Sequence, residues 1–145
     1  MKFTSEIEIN VPVSIIVELF DNADNLTKWM DGLQSFDHLS GVSGQPGAKT
    51  KMVFKMGSRE IEMIETITVR NLPDEFTATY DADGVINIVK NRFIKLSESK
   101  TKYITENEFQ FKGFMKIIAL LMPGSFKKQS YKFMEDFKKF AETQP

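Results

Sequence analysis

Residues 3 to 9 alternate: Phe3, Ser5, Ile7 and Ile9 fall on one side, Thr4, Glu6 and Glu8 on the other. A period of two sets one row against a core and the other in water, so a half-buried strand is predicted over residues 1 to 9. The spacing turns helical in NVPVSIIVELFDN, where Ile16, Leu19 and Phe20 share a face. Pro12 sits in the first turn, where its missing N–H costs a helix nothing. A second short helix is predicted in ADNLTKWM, which carries the single tryptophan, Trp29. Between residues 33 and 112, strand-like runs are cut by the turn compositions GVSGQPG, MGSR, NLPDE, DADG and SESK. These predict a meander of six antiparallel strands.

Turn chemistry extends this reading to register, and register decides which side chains share a face. Gly57-Ser58 is a two-residue turn with Gly first, which pairs Phe54 with Ile61 and Met52 with Met63 inside and Lys55 with Glu60 outside. A turn at Asp83-Gly84 places Phe76, Ala78 and Tyr80 opposite Asn91, Val89 and Asn87. Centring the next loop near Ser99 sets Arg92 against Glu106, Lys90 against Glu108, Asn91 against Asn107 and Val89 against Phe109. The same registers send Ile86, Ile88, Ile94 and Ile104 to the outer face, unless a bulge reverses part of it.

The C-terminal stretch FMKIIALLMPGSFKKQSYKFMEDFKKFAE begins almost wholly apolar and ends amphipathic. From Phe126 the inward positions are Phe126, Ser130, Phe133, Met134, Phe137, Phe140 and Ala141, a helical stripe with lysines and acids opposite. Pro123 and Gly124 interrupt the helix, so residues 114 to 122 are predicted to form a separate arm.

Composition narrows the function. The 145 residues suffice for one domain that buries about 68 to 70% of its unfolded surface. There is no cysteine and one histidine, so disulfide, thiolate and histidine-rich metal chemistry are not expected. A formal charge of −1 argues against a nucleic-acid partner. The charged start MKFTSEIEIN has no signal-peptide core and no apolar run approaches membrane-spanning length, so a cytoplasmic protein without an integral membrane segment is expected.

The order of strand, two short helices, six strands and long helix, with the segments IEINVPVSIIVELFDNADNLTKWM, NLPDEFTATY and FMEDFKKFAE, resembles the START-related helix-grip superfamily. That superfamily groups polyketide cyclases, pollen-allergen-like carriers and lipid-transfer domains. The resemblance spans residues 1 to 145 as a single domain. It implies an α+β fold in which a curved seven-stranded antiparallel sheet wraps a long C-terminal helix, with two short helices between strands 1 and 2. It also implies a cavity between sheet and helix, and an arm at residues 114 to 126 on the cavity rim.

The predicted registers place Glu65, Tyr80, Asn87, Asn91 and Asn107 on the inner face, with Ser130 facing them from the helix. Each costs about 1 to 3 kcal/mol if buried unpaired. One account is an inert core in which they bond one another or water. The other is a ligand site, in which a few polar groups orient a mostly apolar molecule. The candidate lining is Met52, Phe54, Met63, Glu65, Tyr80, Asn87, Asn91, Asn107, Phe109, Met122, Phe126, Ser130 and Phe133. The expected partner is a small apolar ligand such as a lipid, isoprenoid or aromatic metabolite, without cofactor, on a monomer or homodimer. A cyclase or dehydratase-like enzyme is the alternative, with Glu65 and Tyr80 as the catalytic candidates. An interaction module, like the chaperone-activator relatives of the fold, would instead use an apolar patch formed by the outer isoleucines. Trp29 reads as a packing anchor, and His38 as a solvated or hydrogen-bonded side chain. Seven lysines between residues 112 and 139, against Glu135 and Asp136 alone, read as the solvated face of the helix, with a basic helix and apolar arm lying on an anionic membrane as the alternative.

Overall fold

The computed structural model describes residues 1–144. Strand β1 (Lys2–Ile9) leads into α1 (Val13–Asp21), a 3-10 turn (Ala23–Asn25) and α2 (Leu26–Trp29). Strands β2 (Leu33–Ser40), β3 (Lys49–Met56), β4 (Arg59–Asn71), β5 (Glu75–Ala82), β6 (Val85–Ser97) and β7 (Lys100–Phe111) follow, then helices α3 (Phe114–Leu121) and α4 (Pro123–Glu142). One antiparallel sheet runs in the order β1-β7-β6-β5-β4-β3-β2. The first strand thus pairs with the last, and the meander is brought round beneath α4.

Two of the predicted registers are observed: Phe54 faces Ile61 and Met52 faces Met63, while Tyr80 faces Asn87 and Phe76 faces Asn91. Gly57 adopts φ +65 and Gly84 φ +77, conformations that a side chain disfavours, so glycine at each turn holds its hairpin in register. The β6–β7 register differs from the expected one by two residues. Lys90 pairs with Glu106, Asn91 with Thr105, Val89 with Asn107 and Arg92 with Ile104. The turn is the two-residue Glu98-Ser99 rather than a loop centred on Ser99, and a bulge falls between Lys95 and Ser97. Each feature moves the ladder by one residue, so faces are preserved while partners change.

Ile104 lies on the outer face between Glu6 and Arg92, yet only 6% of it is exposed. Long charged neighbours cover it with their methylene stems. Ile86 and Ile88 are half-buried, which leaves Ile94 as the exposed member of the four.

The core gathers at one end. Ile9, Val11, Ile16, Trp29, Phe93, Tyr103, Met134, Phe137 and Ala141 form one buried cluster. Phe137, from the predicted stripe, sits at its centre, 5.1 Å from Trp29 and 5.6 Å from Phe20, ring centroid to ring centroid. A smaller cluster of Leu33, Met52 and Phe54 lies nearer the other end and meets Phe133.

The helix breaks where predicted. Met122 has φ −131 and ψ 56, and Pro123 becomes the first residue of α4. The long helix therefore begins three residues before Phe126, and Pro123 occupies a position that suits it instead of interrupting a helix.

Candidate functional site

The alternation of β3 to β7 aligns one transverse row across the inner face. Thr50 pairs with Glu65, Glu65 with Tyr80, Tyr80 with Asn87, and Asn87 with Phe109. Each strand contributes one side chain because residues paired directly across the ladder point to the same face. The neighbouring row toward the β5–β6 turn, Met52, Met63, Ala82, Val85 and Phe111, is apolar. The sheet therefore presents polar atoms framed by methyl, thioether and phenyl groups.

Within the row, the Tyr80 hydroxyl donates to Glu65 Oε2 at 2.9 Å. Burial raises the Glu65 carboxyl above its ordinary range, and the hydrogen bond from Tyr80 opposes that rise. Burial, the nearby Glu65 charge and that same bond push the Tyr80 phenol well above its ordinary value. Tyr80 is thus held as a donor, and Glu65 is the member of the pair placed to exchange a proton. Asn87 Oδ1 is buried and has no hydrogen-bond partner among the described residues. It sits directly across the β5–β6 ladder from Tyr80.

The other predicted polar residues are already engaged. Asn91 Oδ1 accepts from the Tyr103 hydroxyl at 2.8 Å, and Asn91 Nδ2 donates to the Phe76 carbonyl at 3.3 Å. Asn107 Nδ2 donates to Ser130 Oγ at 3.1 Å and to Thr105 Oγ1 at 3.4 Å, tying the sheet to α4. Asn91 and Asn107 are thereby structural cross-links, and the polar groups that converge are Glu65, Tyr80 and Asn87. Thr50, Tyr103 and Thr105 are further inward polar residues that the predicted rows do not contain. For the last two a signal exists in the sequence: Tyr103, Thr105 and Asn107 alternate in β7, and the true register sets Thr105 against Asn91.

Packing along the face is uneven. Met63, Tyr80, Asn87, Val89, Phe109, Phe126, Ser130 and Phe133 all point between sheet and helix and all are half-buried. Phe126 leans on Phe109 and Phe111 with centroids 5.1 and 5.0 Å apart, and Phe133 lies 6.0 Å from Phe54. Inward side chains that keep some accessible surface mark this part of the face as a shallow trough, less completely covered than the packed end. Met52 and Phe54 are buried at its floor. An open cleft of about 620 Å³ lies at the turn end of the sheet and is lined from both faces, by Met63, Ala82 and Val85 of the inner row, by Glu62, Ile64, Asp81 and Ile86 of the outer one, and by Asp83, Gly84 and Lys112. It shares Met63 with the predicted lining. Met122 does not join the site: it is 55% exposed at the α3–α4 corner, because the break there turns it outward.

His38 is exposed, with Nε2 2.8 Å from the Gly41 carbonyl, so it stands outside the site. Trp29 is buried against Phe137 as a packing anchor. Among the described residues no cluster of His, Cys, Asp and Glu could hold a metal ion.

No protein-family model matches this chain, and no curated protein matches it in sequence. Solved structures do match. The ZhuI aromatase/cyclase from Streptomyces sp. R1128 superposes with a TM-score of 0.83 at 8% identity, over 98% of this chain and 93% of that one. Ara h 8.0201 gives 0.77 at 14% identity, over 99% of both chains. Norcoclaurine synthase from Thalictrum flavum, in complex with dopamine and hydroxybenzaldehyde, gives 0.75 at 14% identity, over 100% of this chain and 88% of that one. At such identities the likeness establishes architecture and leaves residue roles to be argued from this chain. The curved seven-stranded sheet closed over a long C-terminal helix gives this chain the helix-grip fold that these structures share.

Proposed function

We propose that this protein binds a small, largely apolar molecule, aromatic or isoprenoid in character, in the trough between the sheet and α4. The observation that carries this is the half-burial of the inward residues around Asn87, whose carbonyl oxygen is unpaired among the described residues. A buried acceptor without a donor costs about 1 to 3 kcal/mol, and a ligand hydroxyl would satisfy it. Met63, Phe109, Phe111, Phe126 and Phe133 supply apolar contact, and Tyr80 with Glu65 supplies a second polar anchor about one strand away. The matched structures support this reading by analogy, since one is named a cyclase and another holds two small aromatic compounds.

The test is titration with an apolar fluorescent probe, together with native mass spectrometry of the purified protein and its organic extract. Probe binding is expected to fall at least tenfold in Phe109→Ala and Phe126→Ala. A wild-type protein that takes up no probe and carries no extractable molecule overturns the reading, as does uptake indifferent to both substitutions.

The geometry of the polar row favours a second reading, a cofactor-free cyclase or dehydratase. Glu65 would accept a proton from the bound molecule while Tyr80 and Asn87 hold its oxygens. Glu65→Gln would then abolish turnover while leaving probe affinity within about threefold; equal turnover in the variant removes this reading and leaves the first intact.

A further inference from the structure

Helix α3 is apolar on the side that faces water. Phe114 is 71% exposed, Leu120 81% and Leu121 74%, with Ile117 also exposed, whereas Met115, Ile118 and Ala119 turn toward the body of the protein. At 100° per residue the four exposed side chains fall within about 120° of one another, a continuous stripe along the helix. A surface helix ordinarily places polar residues there, so this stripe is matched to a surface that excludes water.

The charges around it identify that surface. From residue 109 to residue 134 the chain contains five lysines and no aspartate or glutamate. Lys112 and Lys116 precede the stripe or border it, and Lys127 and Lys128 follow the α3–α4 corner. All four are exposed, and none pairs with a carboxylate among the described residues. The nearest acidic turn lies beneath the inward side of α3 and beside Lys112, which shares a cleft with Glu62, Asp81 and Asp83. Gly84, between Asp83 and Val85, approaches Met115 so closely that an added Cβ would stand 2.8 Å from Met115 Cγ. Met115 belongs to the inward side of α3, so the acids at Asp81 and Asp83 lie beneath it.

We propose that α3 and the α3–α4 corner dock onto an anionic lipid surface. Phe114, Ile117, Leu120 and Leu121 enter the interfacial layer, and Lys116, Lys127 and Lys128 meet the headgroups. Among the described residues no helix is long and apolar enough to cross a membrane, so α3 lies on the surface and does not span it. The stripe itself is independent of what the trough holds.

Co-sedimentation with vesicles tests the proposal. The wild-type protein is expected to bind vesicles of phosphatidylcholine with about one-third phosphatidylserine at least tenfold more tightly than phosphatidylcholine alone, and to release at about 1 M salt, where the screening length falls to about 3 Å. Lys127→Gln with Lys128→Gln should weaken binding about 25-fold, the product of roughly fivefold per lysine. Leu120→Glu with Leu121→Glu should abolish it without lowering the melting temperature, because both side chains are exposed. Absence of wild-type binding, equal binding to neutral vesicles, or binding that survives the leucine substitutions overturns the proposal. So does a lipid-free dimer that those substitutions dissociate, since a second copy would then cover the stripe. Probe titration without vesicles reads the trough separately, so loss of one property does not imply loss of the other.

Discussion

At one end of the sheet Phe137 is enclosed by Phe20, Trp29, Tyr103 and Phe93, with centroids 5.6, 5.1, 5.8 and 6.4 Å away. At the other end Phe126 rests on Phe109 and Phe111 and remains half-buried. Both phenylalanines belong to the same stripe of α4, and both face strands with the same alternation. What differs is the cover. Residues of α1 and α2, notably Ile16, Phe20 and Trp29, complete the packed end, whereas the open end is met by α3, which turns four of its apolar side chains away. Toward the packed end Asn91 with Tyr103 and Asn107 with Thr105 and Ser130 are bonded while Trp29 Nε1 has no partner among the described residues; in the trough Tyr80 is bonded to Glu65 and Asn87 Oδ1 is unpaired. A polar group whose partner is supplied within the fold stabilises it, and one left without a partner is available to a ligand.

The largest test of this contrast is truncation of the two rings. Phe137→Ala should cost about 3 to 5 kcal/mol, because it leaves a cavity among rings that cannot collapse. Phe126→Ala should cost about 1 to 2 kcal/mol, since part of that ring already meets water. Denaturant unfolding measures both, and equal costs would erase the distinction between the two ends.

Next come the two tyrosines. Tyr103→Phe strands the buried Asn91 Oδ1 and should cost about 1 to 3 kcal/mol. Tyr80→Phe removes the donor to Glu65 and should cost less than that at acid pH, where the carboxyl is protonated. The ranking is checked by unfolding both variants at pH 4 and 7.

The third test is pH dependence. Burial raises the folded-state pKa of Glu65 above its ordinary value of 4.5. The protonated carboxyl is therefore the form the fold prefers, and the stability it contributes below pH 4.5 is lost as pH rises through the raised value. Glu65→Gln keeps the neutral form at every pH, so it should gain on the wild type as pH rises from 4 to 7. A constant difference across that range would show that Glu65 is as solvated as a surface carboxylate. The smallest effect belongs to the corner: Gly124→Ala should stabilise by about 0.5 kcal/mol, because nothing lies within 4 Å of the added methyl. Pro123→Ala should change little, because proline at the first position of α4 breaks no hydrogen bond.

The order of elements, the break at Pro123 and the rows bounded by Gly57-Ser58 and Asp83-Gly84 were determined by the sequence alone. Each follows from rules acting over a few residues: the alternation of a strand, the spacing of a helix, a positive φ at a turn. The same local rules suffice to put Glu65, Tyr80 and Asn87 on one face. Only the tertiary structure decided the rest. The bulge near Leu96 moved the β6–β7 pairing and exchanged Asn107 for Thr105 opposite Asn91. Coverage by neighbouring side chains of the same sheet buried Ile104 on a face that alternation assigns to water. The direction in which α3 leaves the corner exposed Met122 and Leu120 and left the trough open. Burial depends on which side chains from distant segments arrive at a surface, and an apolar pattern specifies that a face wants cover without specifying what provides it.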